Sequence, residues 1–321
     1  MQQDNLKKEA SALGWLFFIA MAVHVICSVA VNILEQKGIT LPVEFSLIIS
    51  ELVIFIPALI YVINSRLSFS EDLGFRGVKP GTVLISVFMS FLVWGVGSFF
   101  NVLSQIFVSN TMVQMSDTLL GGSNVAVWFL ASIYGPFCEE FVFRSVFNRR
   151  YEFIIGPMRA GLISALYFAL AHLNFNQAAY AFVLGVMFSI INKAAGSVYP
   201  SMIIHMCING CNMLMIMVMT GITEEIGSAE DLAAAAEAAR GSDMIYILLA
   251  VTLVGAIISL LILIPCVVFI SKHENRFEEL VSMFKKGQAK GRWLTFSSAL
   301  AICFTLFIMF GLRPLLSALG M

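Results

Sequence analysis

The sequence predicts an all-α polytopic membrane protein with about nine transmembrane helices. Composition is the first reason. Of 321 residues, 59% are hydrophobic and 12% charged, with a mean hydropathy of +0.90. An ordinary soluble domain is about 25% charged. Periodic segmentation is the second: the apolar residues fall into nine stretches, most near the roughly 20 residues that span hydrocarbon as a helix. The third is the distribution of Lys and Arg. If the N-terminus is cytoplasmic, 15 of the 19 fall in inside loops, three (Lys37, Arg240, Arg313) fall outside, and Arg144 lies within a span. The positive-inside rule favours that count and orientation, which also places the C-terminus outside the cell membrane.

In order, the stretches are 12–34, 43–64, 81–107, 123–148, 159–174, 176–193, 198–219, 243–271 and 293–316. The first is too long for a signal-peptide core and reads as a retained span. The fifth and sixth are shorter, and Asn174-Phe175-Asn176 divides them. The 23 glycines and 28 phenylalanines suit close helix packing in lipid. Three sections follow: three N-terminal spans in 1–122, a core in 123–219, and, in 220–321, an acidic outer loop and two C-terminal helices joined by a basic interfacial loop. In the outer loop Ser228 is placed to cap an alanine-rich helix that ends near Arg240-Gly241. In the inner loop Phe277, Leu280, Val281 and Phe284 recur at helical spacing among basic residues, as in a helix lying on an anionic leaflet.

A net charge of −1 gives no case for a nucleic-acid partner. The expected partners are the lipid bilayer and a membrane-associated peptide or protein; oligomeric state is not fixed. The six cysteines form no C-x-x-C pair and sit in apolar stretches, so neither disulfides nor a thiolate metal site is expected. Cys207 and Cys211 read as packing residues.

The chemistry concentrates in Gly135-Pro136-Phe137-Cys138-Glu139-Glu140-Phe141-Val142-Phe143-Arg144. Ionisable groups at membrane depth cost on the order of 3 kcal/mol each even on lenient insertion scales. Glu140 and Arg144, at i and i+4, share a helix face and can pair. Glu139 points about 100° away and stays outside that pair. Pro136 loosens the helix one turn earlier. Further on come Phe168 and His172, then His205 and Asn209 at i and i+4, with Asn212 on nearly the same face. Glu139 is roughly 15 Å from Arg149 along its helix, and His205 is roughly 18 Å from Lys193, so the three elements can meet at one depth. Peptide hydrolysis needs an activated water, a general acid and an oxyanion stabiliser. Glu139 suits the base, the histidines can orient water, protonate an amine or bind metal, and Asn209 can donate to an oxyanion. Glu139, His172 and His205 also fit an open zinc site.

E-E-x-x-x-R, F-x-x-x-H and H-x-x-x-N, in that order on successive apolar helices, resemble the CPBP family, the CAAX prenyl endopeptidases and bacteriocin-processing (Abi) intramembrane proteases. The resemblance covers about residues 123–219. It implies peptidase activity within the membrane, with Glu139 essential and Glu140, Arg144, His172, His205 and Asn209 completing the site. It implies either a metal-dependent or a metal-free glutamate mechanism. The favoured expectation is metal-free, with no cofactor required: Glu139 and His172 hold the water while His205 and Asn209 stabilise the oxyanion. The runner-up is a non-catalytic regulator or immunity protein on the same scaffold. A proton-relaying transporter is third, weakened by the lack of paired broken helices in two repeated halves.

The bland readings are an inert ion network for Glu139, Glu140 and Arg144, interhelical bridging for the histidines and Asn209, and wall packing for Phe168. His24 and Glu51, near mid-span in the first two helices, are expected to bond to each other.

Overall fold

The computed structural model describes residues 2–114, 119, 122–226, 234, 237–285 and 289–312. All regular structure among them is helical. Helix α1 runs Gln2–Gln36 and ends at Gly38, whose φ of 78° is left-handed. Helices α2 (Val43–Asn64) and α3 (Pro80–Gln105) follow, α3 with a proline in its first turn, where the missing N–H costs nothing. Helix α4 spans Asn124–Ile155. Gly156, at φ 81°, stops it, and Pro157 opens α5 (Pro157–Ala171). Asn174 caps α6 (Phe175–Ala195) by accepting from the Gln177 N–H at 2.8 Å. Then come α7 (Tyr199–Ile226), α8 (Met244–His273), the short α9 (Phe277–Met283) and α10 (Phe296–Leu312). A capping box at Thr295 starts α10.

Seven of these helices (α1, α2, α3, α4, α6, α7 and α8) are long and apolar enough to cross a membrane. The remaining two expected spans correspond to α5 and α10, which are apolar but shorter. The protein is thus a multi-pass, all-α membrane protein, and the ninefold count rests on those two short helices.

The buried residues form two main apolar clusters. One joins α1, α2, α4, α5 and α10 through Phe17, Phe141, Phe147, Tyr167 and Phe168. The other joins α3, α6, α7, α8 and α9 through Val93, Phe188, Ile204 and Ile270. The seam between them runs along α5 and α6. Gly185 makes it tight: a Cβ there would stand 2.8 Å from the Ala165 Cβ and 3.1 Å from Arg144 Nη2. Small residues at such crossings let backbones approach where lipid offers no hydrophobic drive.

Three sequence expectations need correction. Helix α7 continues past 219 to Ile226, so the outer loop starts later. Ser228 lies outside the described residues, although 237–240 are helical and Gly241 turns the chain. Glu51 does not bond to His24. It shares a face of α2 with Phe55, whose ring packs on Phe137 and Phe141, so the carboxyl points at α4 rather than α1. The inner-loop helix is present as α9, but its apolar residues divide. Leu280 and Met283 are buried in the protein, while Phe277, Val281 and Phe284 are exposed.

Candidate active site

Helix α4 is not a regular α-helix where it carries the acids. Leu130–Tyr134 and Glu140–Asn148 run in the wide π register, on either side of an α-helical turn Gly135–Glu139. Such widenings occur mostly at functional sites. The local sequence supplies a cause. The Gly135 N–H reaches back five residues to the Leu130 carbonyl. Continuing that register, the next donor onto Ala131 is residue 136, a proline without an N–H. Asn209 Nδ2, on α7, donates to the Ala131 carbonyl at 3.2 Å instead. A side chain from another helix thus fills the acceptor that the proline leaves open.

Glu140 and Arg144 are both fully buried, with Arg144 Nε 3.6 Å from Glu140 Oε2. The separation makes this a charge pair rather than a hydrogen bond. Glu140 takes its hydrogen bonds from α7: Ser201 Oγ donates to Oε2 at 2.6 Å, and His205 Nδ1 lies 3.1 Å from Oε1. Ser201 is itself held by Asn192 of α6, whose Nδ2 donates to its Oγ at 2.7 Å. The guanidinium of Arg144 sits over the rings of Phe168 and Phe188, 4.7 and 5.6 Å from their centroids, and Nη1 donates to Ser164 Oγ at 3.3 Å. Nε and Nη2 have no hydrogen-bond partner. Cation–π attraction grows where the cation is desolvated, so two aromatic faces substitute in part for the missing acceptors.

Glu139 faces elsewhere. Its Oε1 is 3.9 Å from His172 Nε2 and its Oε2 is 3.5 Å from His205 Nε2. The Glu139 and His172 side chains each keep 16% of their surface exposed, in contrast to the sealed Glu140. Both rings are set by their far nitrogens. His172 Nδ1 lies 2.9 Å from the Phe168 carbonyl, which can only accept, so Nδ1 carries the proton. The Glu140 carboxylate assigns the proton of His205 to Nδ1 in the same way. Each Nε2 is left facing Glu139. The gaps of 3.5 and 3.9 Å exceed direct hydrogen bonds.

Two imidazole Nε2 atoms and a carboxylate are the right donor types for zinc, and hydrogen bonds orient both rings as in many metal sites. As placed, however, no three His, Cys, Asp or Glu donors among the described residues converge on a common metal position. No step below is routed through a metal.

The structure therefore brings Glu139, Glu140, Arg144, Phe168, His172 and His205 together, while Asn209, one turn further along α7, meets α4 at Ala131. Asn209 spends one amide hydrogen on Ala131 and keeps the other. The sequence reading missed Ser201, Asn192, Phe188 and Ser164. Ser201 had a signal: it precedes His205 by four residues and Asn209 by eight, on one stripe of α7. The others had none, because their partners lie on different helices. The six cysteines are free thiols.

The fold and site define a helical membrane protein whose helices meet around a buried acid, two histidines and a sealed charge pair. Residues 121–211 match the family described as type II CAAX prenyl endopeptidase Rce1-like, and the family resemblance read from the motifs holds over this segment. Among curated proteins, the membrane-embedded CAAX protease MroQ of Staphylococcus aureus (strain USA300) is 39% identical over 92 residues. That alignment takes in 26% of this chain and 36% of the relative, so the match spans little more than a third of that protein. No solved structure matches.

Two predictions follow from the geometry. Arg144→Ala strands Glu140 as an unpaired buried charge, a loss of about 3–5 kcal/mol. A thermal melt of the purified variant is expected well below wild type, and a wild-type melt removes the pair from the stability account. Asn209→Leu is expected to destabilise by about 1–3 kcal/mol, the usual range for an orphaned buried acceptor. Pro136→Ala, by restoring a backbone donor for Ala131, should recover part of that loss in the double variant. Strict additivity of the two changes in melting would show that Asn209 does not serve that carbonyl.

Proposed function

We propose that this chain is an intramembrane endopeptidase that hydrolyses a peptide bond of a membrane-associated peptide or protein with a glutamate-activated water. The observation that carries the reading is the contrast between adjacent acids. Glu140 is locked in a sealed pair, whereas Glu139 is partly exposed and faced by two imidazole Nε2 atoms at 3.5 and 3.9 Å. The family match of residues 121–211 and the similarity to MroQ point to the same chemistry.

In this reading a water sits beside Glu139 and His172 Nε2, within reach of both. Its oxygen attacks the scissile carbonyl carbon as Glu139 takes its proton. The carbonyl oxygen becomes an oxyanion beside His205 and the second amide hydrogen of Asn209. His205 donates from Nε2 once it shares the Glu139 proton across 3.5 Å. Collapse breaks the C–N bond, and the proton passes to the leaving nitrogen, giving a carboxylic acid and an amine. Glu140 and Ser201 hold the His205 ring, and Arg144 balances Glu140; these act through His205 and touch no reacting atom.

Glu139→Gln is nearly isosteric and unpaired, so turnover should fall by several orders of magnitude while the melt stays near wild type. The assay is mass spectrometry of membrane proteins from cells expressing either form. Products that persist with the purified variant remove Glu139 as the base. Metal analysis of chelator-washed active protein separates the metal-free route from its rival: stoichiometric zinc whose removal and return switch activity off and on defeats the metal-free assignment.

We also propose that the N-terminus faces the cytoplasm, on the strength of the Lys and Arg distribution. In a cysteine-free background, Ser242→Cys should react with an impermeant reagent on intact cells, and Glu278→Cys should react only after lysis. The opposite pattern reverses the topology.

A further inference from the structure

Among the described residues, Glu51 is a mid-span carboxyl that the proposed reaction leaves unused. It comes from α2, outside the segment that matches the family. Its Oε2 is shielded from solvent and has no hydrogen-bond partner. Its Oε1 would lie 3.5 Å from a Cβ built on Gly135, so the carboxyl lies against the bare face of α4 one turn before Glu139. Glu139 follows Gly135 by four residues on the same helix. No basic side chain among the described residues pairs with Glu51, and Arg144 is committed to Glu140. The face of α4 one turn before Glu139 thus lies against an acid with an empty acceptor oxygen.

The other candidates carry less. The small cavity lined by Arg144, Asn148, Arg149, Asn192 and Lys193 is a continuation of the sealed pair toward the loops, and its own acid, Glu152, is taken by Lys193. The exposed apolar face of α8 has nothing beside it that identifies an occupant other than lipid.

Resting on the peptidase reading, we propose that Glu51 is a specificity-determining residue: it binds a cationic N–H group of the substrate, an ammonium or guanidinium close to the scissile bond. Charge complementarity is the argument. In hydrocarbon an unpaired acid persists for a functional reason by default. An unpartnered acceptor is completed by a donor, and a cationic donor also supplies the opposite charge that Glu51 lacks. A lysine side chain entering the cleft satisfies both conditions, whereas a neutral apolar side chain satisfies neither.

The test uses the full chain in lipid nanodiscs, with Glu139→Gln to silence cleavage. The probes are otherwise identical apolar peptides with one lysine walked through successive positions, each matched to a norleucine peptide, plus a free and an acetylated N-terminus on the norleucine form. Binding is read by fluorescence quenching. At one position lysine should tighten binding roughly tenfold over norleucine, as for a hydrogen bond to a charged group. Glu51→Gln in the same background should erase the preference while leaving norleucine binding and the melt unchanged. A preference for the free over the acetylated N-terminus, also lost in Glu51→Gln, would assign the guest to a terminal ammonium instead. Equal affinity of all charged and neutral probes for the Glu51 protein, including no binding at all, overturns the proposal and assigns the carboxyl a proton as its only guest. A preference that survives Glu51→Gln overturns it too. The peptidase reading stands or falls separately, on cleavage of the norleucine peptide by the chain with native Glu139.

Discussion

The burial of Glu140 beside Arg144 constrains everything around it. Both side chains have zero exposure, at a depth where water cannot compensate either. A buried ion pair is poor at stabilising a fold, since desolvation can exceed the Coulomb gain, but it is very costly to break. Its requirements therefore specify the arrangement of neighbours. Ser201 and His205 must come from α7, Phe168 and Ser164 from α5, and Phe188 from α6. Four helices are fixed in rotation and depth by one pair. The seam between the two apolar clusters runs through it, and Gly185 brings α6 close enough for the contacts to form.

The wide turns of α4 follow from a different demand. A helix that exposes one acid to a cleft and seals its neighbour must present two faces over a single residue step. Four residues in the π register still return nearly to the same face, so Glu140 and Arg144 stay together. The widened backbone leaves carbonyls without their usual donors, a state hydrocarbon does not tolerate. The Asn209 amide on Ala131 answers that demand from outside the helix. The same α7 stripe thus carries Ser201 for the sealed acid, His205 between the two acids, and Asn209 for the backbone.

Much of this was legible in the sequence because membrane depth makes polarity conspicuous. A histidine or glutamate in a soluble domain is unremarkable, whereas Glu139, His172 and His205 stood out against 59% hydrophobic residues. Helix limits were legible for a related reason: Gly156-Pro157, Asn174 and Gly196 interrupt apolar runs with residues that have definite local geometry. The illegible features all depend on contacts between helices. The π register has no sequence signature beyond Pro136. The direction of Glu51 was misjudged because level placement across a hairpin seemed to pair it with His24, while Phe55 on the same face had already turned it toward α4. Ser201 was overlooked because a serine in an apolar helix commonly bonds its own backbone; its partners Glu140 and Asn192 lie on two other helices.

In the proposed mechanism, with Glu139 as the base, the adjacent glutamates solve a problem that a single acid does not. A base in a membrane has to be desolvated enough to be reactive and yet reachable by water, and the histidine beside it has to be held still. One carboxylate cannot hydrogen-bond the ring at Nδ1 and meet the same ring at Nε2, because the two nitrogens point in different directions. With neighbours on a helix, Glu140 takes His205 at Nδ1 at 3.1 Å and Glu139 faces Nε2 at 3.5 Å. The ring becomes a spacer between a sealed charge and an open one. Arg144 then has to lie on the Glu140 side: a cation facing Glu139 would pair with the acid that must stay free. The spacing of the doublet and the arginine is thus dictated by the opposite requirements of two neighbouring carboxylates, one that must keep its charge compensated and one that must not.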